Sequence, residues 1–131
     1  MITAAEIMTT DIATIRSDAS IQDAIELLLQ QGISGLPVVD EKGQLVGVIT
    51  EFALLAIAYD SNVQCQTVEQ HMTKEVISVD MDEPVNRVAD LCIVHRVRRV
   101  PVMQGSRLMG LISRRDVLRS LYESERVVCR V

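Results

Sequence analysis

The chain repeats itself, and this constrains its fold more than any other feature of the sequence. At an offset of 64 positions Thr3 falls on Thr67, Met8-Thr9 on Met72-Thr73, Asp18 on Asp82, Leu27 on Leu91 and Pro37-Val38 on Pro101-Val102. One deletion in a loop then changes the offset to 63, which places Leu45 on Leu108, Gly47 on Gly110, Ile49 on Ile112 and Leu55 on Leu118. Two copies are too few for a stacked solenoid. A chain of 131 residues has room for one domain or for two small halves that share a core. The expected arrangement is therefore a pair of halves related by a pseudo-two-fold axis.

Each copy reads the same way. Thr3-Ala4-Ala5-Glu6 and Thr67-Val68-Glu69-Gln70 have the spacing of capping boxes that open a single helical turn. Short strands are expected near Ile12 to Ile15 and Val76 to Val79. Ile21, Ala24, Ile25, Leu28 and Leu29 then recur at the spacing of one helical face, which Gly32 ends, and Val85, Val88, Ala89, Cys92 and Ile93 repeat that stripe. Pro84 suits the first turn of its helix, where no amide hydrogen is needed.

A hairpin follows in each half: Leu36 to Asp40 with Leu45 to Thr50, then Arg99 to Met103 with Leu108 to Ser113. A closing helix runs from about Glu51 to Tyr59 and from Arg114 to Tyr122. The predicted fold class is mixed α+β / α/β: two β-α-β-β-α repeats, packed sheet to sheet with pseudo-two-fold symmetry. The first two strands of each repeat are expected to be parallel and the last two antiparallel. The repeats are assigned to residues 1–62 and 63–125, with 126–131 as a C-terminal tail.

The formal net charge is -5, but it is unevenly spread. Residues 1–64 hold two basic residues against nine acidic ones, whereas residues 65–131 hold eleven against nine. Seven of the arginines lie between positions 96 and 119. An acidic protein with a local arginine cluster fits a small anionic ligand better than a DNA surface. Phe52, Tyr59 and Tyr122 are the only aromatic residues, which argues against stacking of single-stranded nucleic acid.

Cys65, Cys92 and Cys129 form no CxxC pair, and His71 and His95 are not spaced as ligands with them. Neither a disulfide framework nor a metal site is expected. Cys92 reads as a small buried hydrophobe. No apolar run is long enough to cross a bilayer, and Met1-Ile2-Thr3-Ala4-Ala5-Glu6 lacks the pattern of a signal peptide. A reducing, cytoplasmic setting is expected.

The segment most informative about function is Ser113-Arg114-Arg115-Asp116, where the last strand hands over to the last helix. Ser-x-x-Asp is a capping box. The same geometry suits a nucleotide, because free amides at a helix N-terminus favour phosphate and an ionised Asp can accept from both hydroxyls of a ribose. His95-Arg96-Val97-Arg98-Arg99-Val100-Pro101-Val102 brings guanidinium groups to the neighbouring strand, so an anion could be held from two sides. No catalytic constellation, phosphate-binding GxxxxGK[ST] loop or GxGxxG loop is present, and no enzymatic activity is expected.

Gly32-Ile33-Ser34-Gly35-Leu36-Pro37-Val38-Val39-Asp40 with Leu45-Val46-Gly47-Val48-Ile49-Thr50 resembles a cystathionine-β-synthase (CBS) domain. So does Val97 to Met103 with Leu108 to Asp116, and the resemblance spans nearly the whole chain. It implies a tandem CBS pair that binds an adenosine derivative such as AMP, ADP, ATP or S-adenosylmethionine and commonly dimerises. Carried over residue by residue, it makes Asp116 the ribose acceptor and Ser113 a phosphate or ribose contact. Arg98 and Arg99 become phosphate ligands, with Arg115 a weaker one. Val76, Ile77 and Ser78 would line the adenine pocket, and Val100 and Pro101 would wall it. The first copy departs from this pattern, since Ala53 stands where Asp116 does and Ser34-Gly35 replace the two arginines.

The expected function is that of an adenine-nucleotide-binding regulatory module, sensing energy state or a metabolite, without catalysis. A ligand-free interaction module and, third, a nucleic-acid binder are the alternatives. A homodimer is expected because the closing helices carry more apolar residues than one module needs: Phe52, Leu54, Leu55, Ile57 and Tyr59, then Val117, Leu118, Leu121 and Tyr122. A regulated partner protein is a further expectation.

Overall fold

The computed structural model describes residues 1–124, so the tail at 126–131 and Cys129 lie outside the described residues. In chain order the elements are α1 (Ala4–Ile7), β1 (Ile15–Arg16), α2 (Ile21–Gln31), β2 (Gly35–Val39), β3 (Leu45–Thr50), α3 (Glu51–Ile57), β4 (Val79–Asp80), α4 (Val85–His95), β5 (Arg99–Gln104), β6 (Arg107–Ser113) and α5 (Arg114–Ser124). Single 3-10 turns at Val63–Cys65 and Val68–Gln70 separate the repeats. This is the mixed α/β composition read from the sequence, with one three-stranded sheet per repeat, ordered β1-β2-β3 and β4-β5-β6. In each sheet the first pair is parallel and the second antiparallel.

The helices form where their stripes and caps dictate. The Ser20 hydroxyl accepts from the Asp23 amide at 3.1 Å to start α2, and Gly32 ends it in the left-handed conformation (φ 63°). Ile21, Ala24 and Leu28 point from α2 into a core with Leu36, Val38, Ile49 and Leu54. Val85 and Val88 do the same from α4, against Val100, Val102, Ile112 and Val117. Burying each valine, leucine or isoleucine among these contributes about 1.5–3 kcal/mol. Both hairpins carry a register shift at the same repeat position, Val38/Val39 and Val102/Met103.

Three expectations change in detail. The strands placed at Ile12 to Ile15 and Val76 to Val79 shrink to two residues each and start later, at Ile15 and Val79. Past Arg16 the Ser17 amide still bonds the Val39 carbonyl at 3.0 Å, but the Ala19 amide turns back to the Arg16 carbonyl at 3.1 Å and ends the ladder. The Thr67 box closes, its amide donating to Gln70 Oε1 at 2.9 Å, whereas Thr3 makes no cap bond to α1 and its hydroxyl turns to Glu6 instead. Cys92 is only half-buried.

Packing does not follow the repeat. One compact unit is the continuous stretch Ala13–Val76; the other combines Met1–Ile12 with the chain from Ile77 onward. In the first unit Thr73 crosses β3 and exchanges two backbone hydrogen bonds with Val48, both 2.9 Å. In the second Thr9 does the same to Leu111 on β6, at 2.8 and 3.0 Å. Gly47 and Gly110 make these crossings possible. A Cβ on Gly47 would stand 2.8 Å from the Thr73 carbonyl oxygen, and one on Gly110 2.7 Å from that of Thr9. The repeated Met-Thr and the repeated glycine are thus two halves of one contact, made by the opening segment of one repeat on the sheet of the other.

Candidate functional site

The expected ligand residues converge on one end of the β4-β5-β6 sheet. Arg99, at the start of β5, is the register partner of Ser113, at the end of β6. The Arg114 amide donates to the Arg98 carbonyl at 2.9 Å, which ties the arginine pair to the β6-to-α5 junction. Parallel pairing of Val79 with Val102 sets the preceding residues, half-buried Ile77 and exposed Ser78, beside the half of β5 that carries Arg99, Val100 and Pro101. Pro101 is buried and Val100 belongs to the hydrophobic core, so Val100 can wall a ligand only through its backbone. Val76 is the last residue of the other compact unit.

The junction itself is a reciprocal lock. The Asp116 amide donates to Ser113 Oγ at 3.1 Å, and the Ser113 amide donates to Asp116 Oδ2 at 3.4 Å. Asp116 Oδ1 lies 3.5 Å from Arg119 Nη1. The 3.4 and 3.5 Å contacts are long for hydrogen bonds, and a carboxylate offers about four lone-pair sites, so Asp116 keeps acceptor capacity for further donors. Its side chain is 29% exposed, open enough for a ligand to reach. Arg98, Arg99, Arg114 and Arg115 are exposed and, among the described residues, form no ion pair. The end of this unit therefore combines an oriented carboxylate, the N-terminus of an 11-residue helix and unneutralised guanidinium groups.

The first copy keeps the backbone of this arrangement and changes its side chains. The Glu51 amide donates to the Ser34 carbonyl at 2.9 Å, and Thr50 Oγ1 accepts from the Ala53 amide at 3.2 Å. Gly35 is the partner of Thr50 as Arg99 is of Ser113. The cradle is duplicated, but its carboxylate and its arginines are present once.

Sequence reasoning missed three contributors. Arg114 supplies the amide that joins helix to strand, and its guanidinium lowers the pKa of the Cys92 thiol, although partial burial dominates and leaves that pKa raised. Arg119 reaches Asp116, a link visible only as an i,i+3 spacing in the sequence. Arg96 ends α4 with φ 55°, the one non-glycine residue at positive φ among those described. Among the described residues no cluster of three His, Cys, Asp or Glu could hold a metal, and no helix is long and apolar enough to cross a membrane.

Comparison with known proteins identifies the family. The family model for the CBS domain matches residues 4–60 and again 68–123. A homoserine O-acetyltransferase from Methanococcoides burtonii is 35% identical over 117 residues, 88% of this chain but 23% of that protein. In two further curated relatives the chain spans 41% and 22% of the length. Among solved structures, CBSX2 in complex with AMP superposes with a TM-score of 0.85 at 28% identity, covering 96% of this chain and 100% of that one. The CBS domain pair of protein MJ0100, in complex with 5-methylthioadenosine and S-adenosyl-L-methionine, gives 0.79 at 31% identity over 96% and 99% of the two chains. With two matched copies, a repeated sheet-and-helix unit and these neighbours, the chain belongs to the CBS domain family as a tandem pair.

Proposed function

We propose that this chain is a regulatory module that binds an adenine nucleotide or a related adenosine derivative through its second repeat and carries out no chemistry on it. The reading rests above all on the lock between Ser113 and Asp116 beside Arg98 and Arg99. Asp116 accepts from the ribose hydroxyls. Ser113 and the first amides of α5 meet a phosphate or the ribose, and Arg98 and Arg99 neutralise the phosphate charge, with Arg115 in support. Val76, Ile77 and Ser78 border the adenine, and Val100 and Pro101 close the other side. The AMP complex of one structural neighbour and the methylthioadenosine and S-adenosylmethionine complex of another support this ligand class.

In this reading the module works in the cytoplasm as a homodimer and passes its state to a regulated protein or domain. A ligand-free interaction module is favoured by one observation: both carboxylate oxygens of Asp116 already have partners within the chain, Ser113 and Arg119. One panel separates the two. Titration calorimetry and thermal shift with AMP, ADP, ATP, S-adenosylmethionine and NAD should give one site per chain for at least one compound. Ligand at about 100 times its Kd should add about 2.7 kcal/mol of stability. No heat and no shift with any of the five would leave the interaction module as the function.

A further inference from the structure

Arg96 ends α4 in the left-handed backbone region, where Gly32 ends α2 in the first copy. The turn does the same work in both, yet only the first copy uses the residue that enters this region without strain. Gly32 also closes its turn, its amide donating to the Leu28 carbonyl at 2.9 Å. Among the described residues the Arg96 amide makes no such bond. A cation at a helix C-terminus is favourable, but His95 already supplies one in the last turn of α4. The fold thus gives no reason for arginine here, and strain retained at one residue is a mark of function.

The surroundings of Arg96 indicate which function. It lies two positions before Arg98, whose carbonyl accepts from the Arg114 amide at 2.9 Å, and three before Arg99, the register partner of Ser113. Two trans peptide links hold its Cα no more than about 7.6 Å from that of Arg98. Arg96 is exposed and, among the described residues, pairs with no acid. The first copy is the control: where the turn has glycine, Ser34 and Gly35 stand in place of Arg98 and Arg99, and neither α2 nor α3 contains a basic residue. The strained arginine and the phosphate arginines are present together and absent together. Arg96, Arg98, Arg99, Arg114 and Arg115 bring more positive charge to one end of the unit than the roughly two negative charges of a single terminal phosphate can neutralise.

We propose that Arg96 is a specificity residue whose guanidinium holds the phosphates beyond the first, so that the site selects an adenosine polyphosphate, ADP or ATP, over AMP. The inference rests on the nucleotide site of the proposed function and adds what that site selects. Arg98 and Arg99 take the phosphate next to the ribose, and Arg96, set back from the strand, takes the outer ones. A monophosphate leaves Arg96 in water, with nothing to offset its strain.

The test titrates the full chain with AMP, ADP and ATP by calorimetry, at about 0.15 M salt to screen distant charges and without magnesium. The wild type should bind ATP about tenfold more tightly than AMP, the lower end of one charge-assisted hydrogen bond. Arg96→Gly keeps the turn, as Gly32 shows, so it should fold with its melting temperature unchanged or raised. Its ATP affinity should fall about tenfold while its AMP affinity stays within about twofold, and Arg98→Ala should weaken both. A wild type that binds AMP as tightly as ATP, or an Arg96→Gly chain that keeps its ATP affinity or loses both ligands alike, would overturn the selection and leave the nucleotide site in place. Binding of S-adenosylmethionine but of none of the three nucleotides would do the same. No binding of any adenosine compound would overturn the site and the selection together.

Discussion

Arg96 adopts the left-handed backbone conformation that Gly32 adopts one repeat earlier, with φ 55° and ψ 32° against φ 63° and ψ 37°. In each copy this turn ends a helix and delivers the next residue, Val97 or Ile33, to the core. Glycine enters this region freely, but any other L-residue is strained there by about 1–2 kcal/mol. Arg96→Gly relieves that strain and adds freedom to the unfolded chain, so a net gain of about 0.5 kcal/mol is expected in urea unfolding. Gly32→Ala imposes the same strain and should cost about 1 kcal/mol or more.

The crossings over Gly47 and Gly110 predict a sharper effect. A methyl group at either position meets a carbonyl oxygen inside 3 Å as well as a methionine sulfur, and only the sulfur can move aside. Gly47→Ala and Gly110→Ala should each lose about 2–3 kcal/mol through overpacking and weakened bridge hydrogen bonds. Hydrogen exchange should report it locally: the Thr73 amide should lose protection in the first variant and the Thr9 amide in the second.

Removing a charged hydrogen-bonding partner costs about 1.5–3 kcal/mol. Asp116→Ala should therefore weaken adenine-nucleotide binding about 10- to 150-fold in calorimetry. It also removes the carboxylate half of the capping box that opens α5, so Arg98→Ala, which leaves both halves intact, is the companion measurement and should weaken binding as well. Ala53→Asp, at the corresponding place in the first copy, should restore only the carboxylate and create no second strong site, because Ser34 and Gly35 still stand where the arginines do. Two equivalent sites per wild-type chain would contradict this asymmetry.

Burial raises the pKa of the Cys92 thiol and Arg114 lowers it by less. The reactive thiolate is therefore scarce at neutral pH. Iodoacetamide followed by peptide mapping should modify exposed Cys65 well before Cys92, with the Cys92 rate climbing as pH rises into the alkaline range. Arg114→Ala should slow Cys92 further, because the lowering influence is gone. A folded-state pKa above the unfolded one also means that this thiol's contribution to stability is complete below the unfolded pKa and is lost as pH rises through the folded one.

Much of this was legible in the sequence because the information is local. The stripe from Ile21 to Leu28 and its copy from Val85 to Cys92 have helical period, and the hairpins have turn residues between alternating apolar runs. Ser113 and Asp116 stand at capping spacing, and the lock between them formed as read. What was not legible is long-range. Met8-Thr9 and Gly110 are visible as repeated residues, but nothing local says that the first pair lies on the second. The β1 and β4 ladders begin only at Ile15 and Val79, three residues later than the apolar pattern alone suggests, and the turn from Arg16 to Ala19 stops the first of them after two residues. Arg96 looked like one more cation; its strain is a backbone property that no composition reveals.

The two bridges over the glycines are nearly identical in hydrogen bonding, yet they are unequal to a chain that has not folded. Thr73 finds Val48 only 25 positions away, whereas Thr9 must find Leu111, 102 positions along. Closing the longer loop in an unfolded chain costs about 1.2 kcal/mol more entropy, and contacts so distant form late. The stretch from Ala13 to Val76 can thus shut on itself early. The half that carries Asp116 and the arginines waits for its two ends to meet, so the candidate site depends on contacts between residues a hundred or more positions apart.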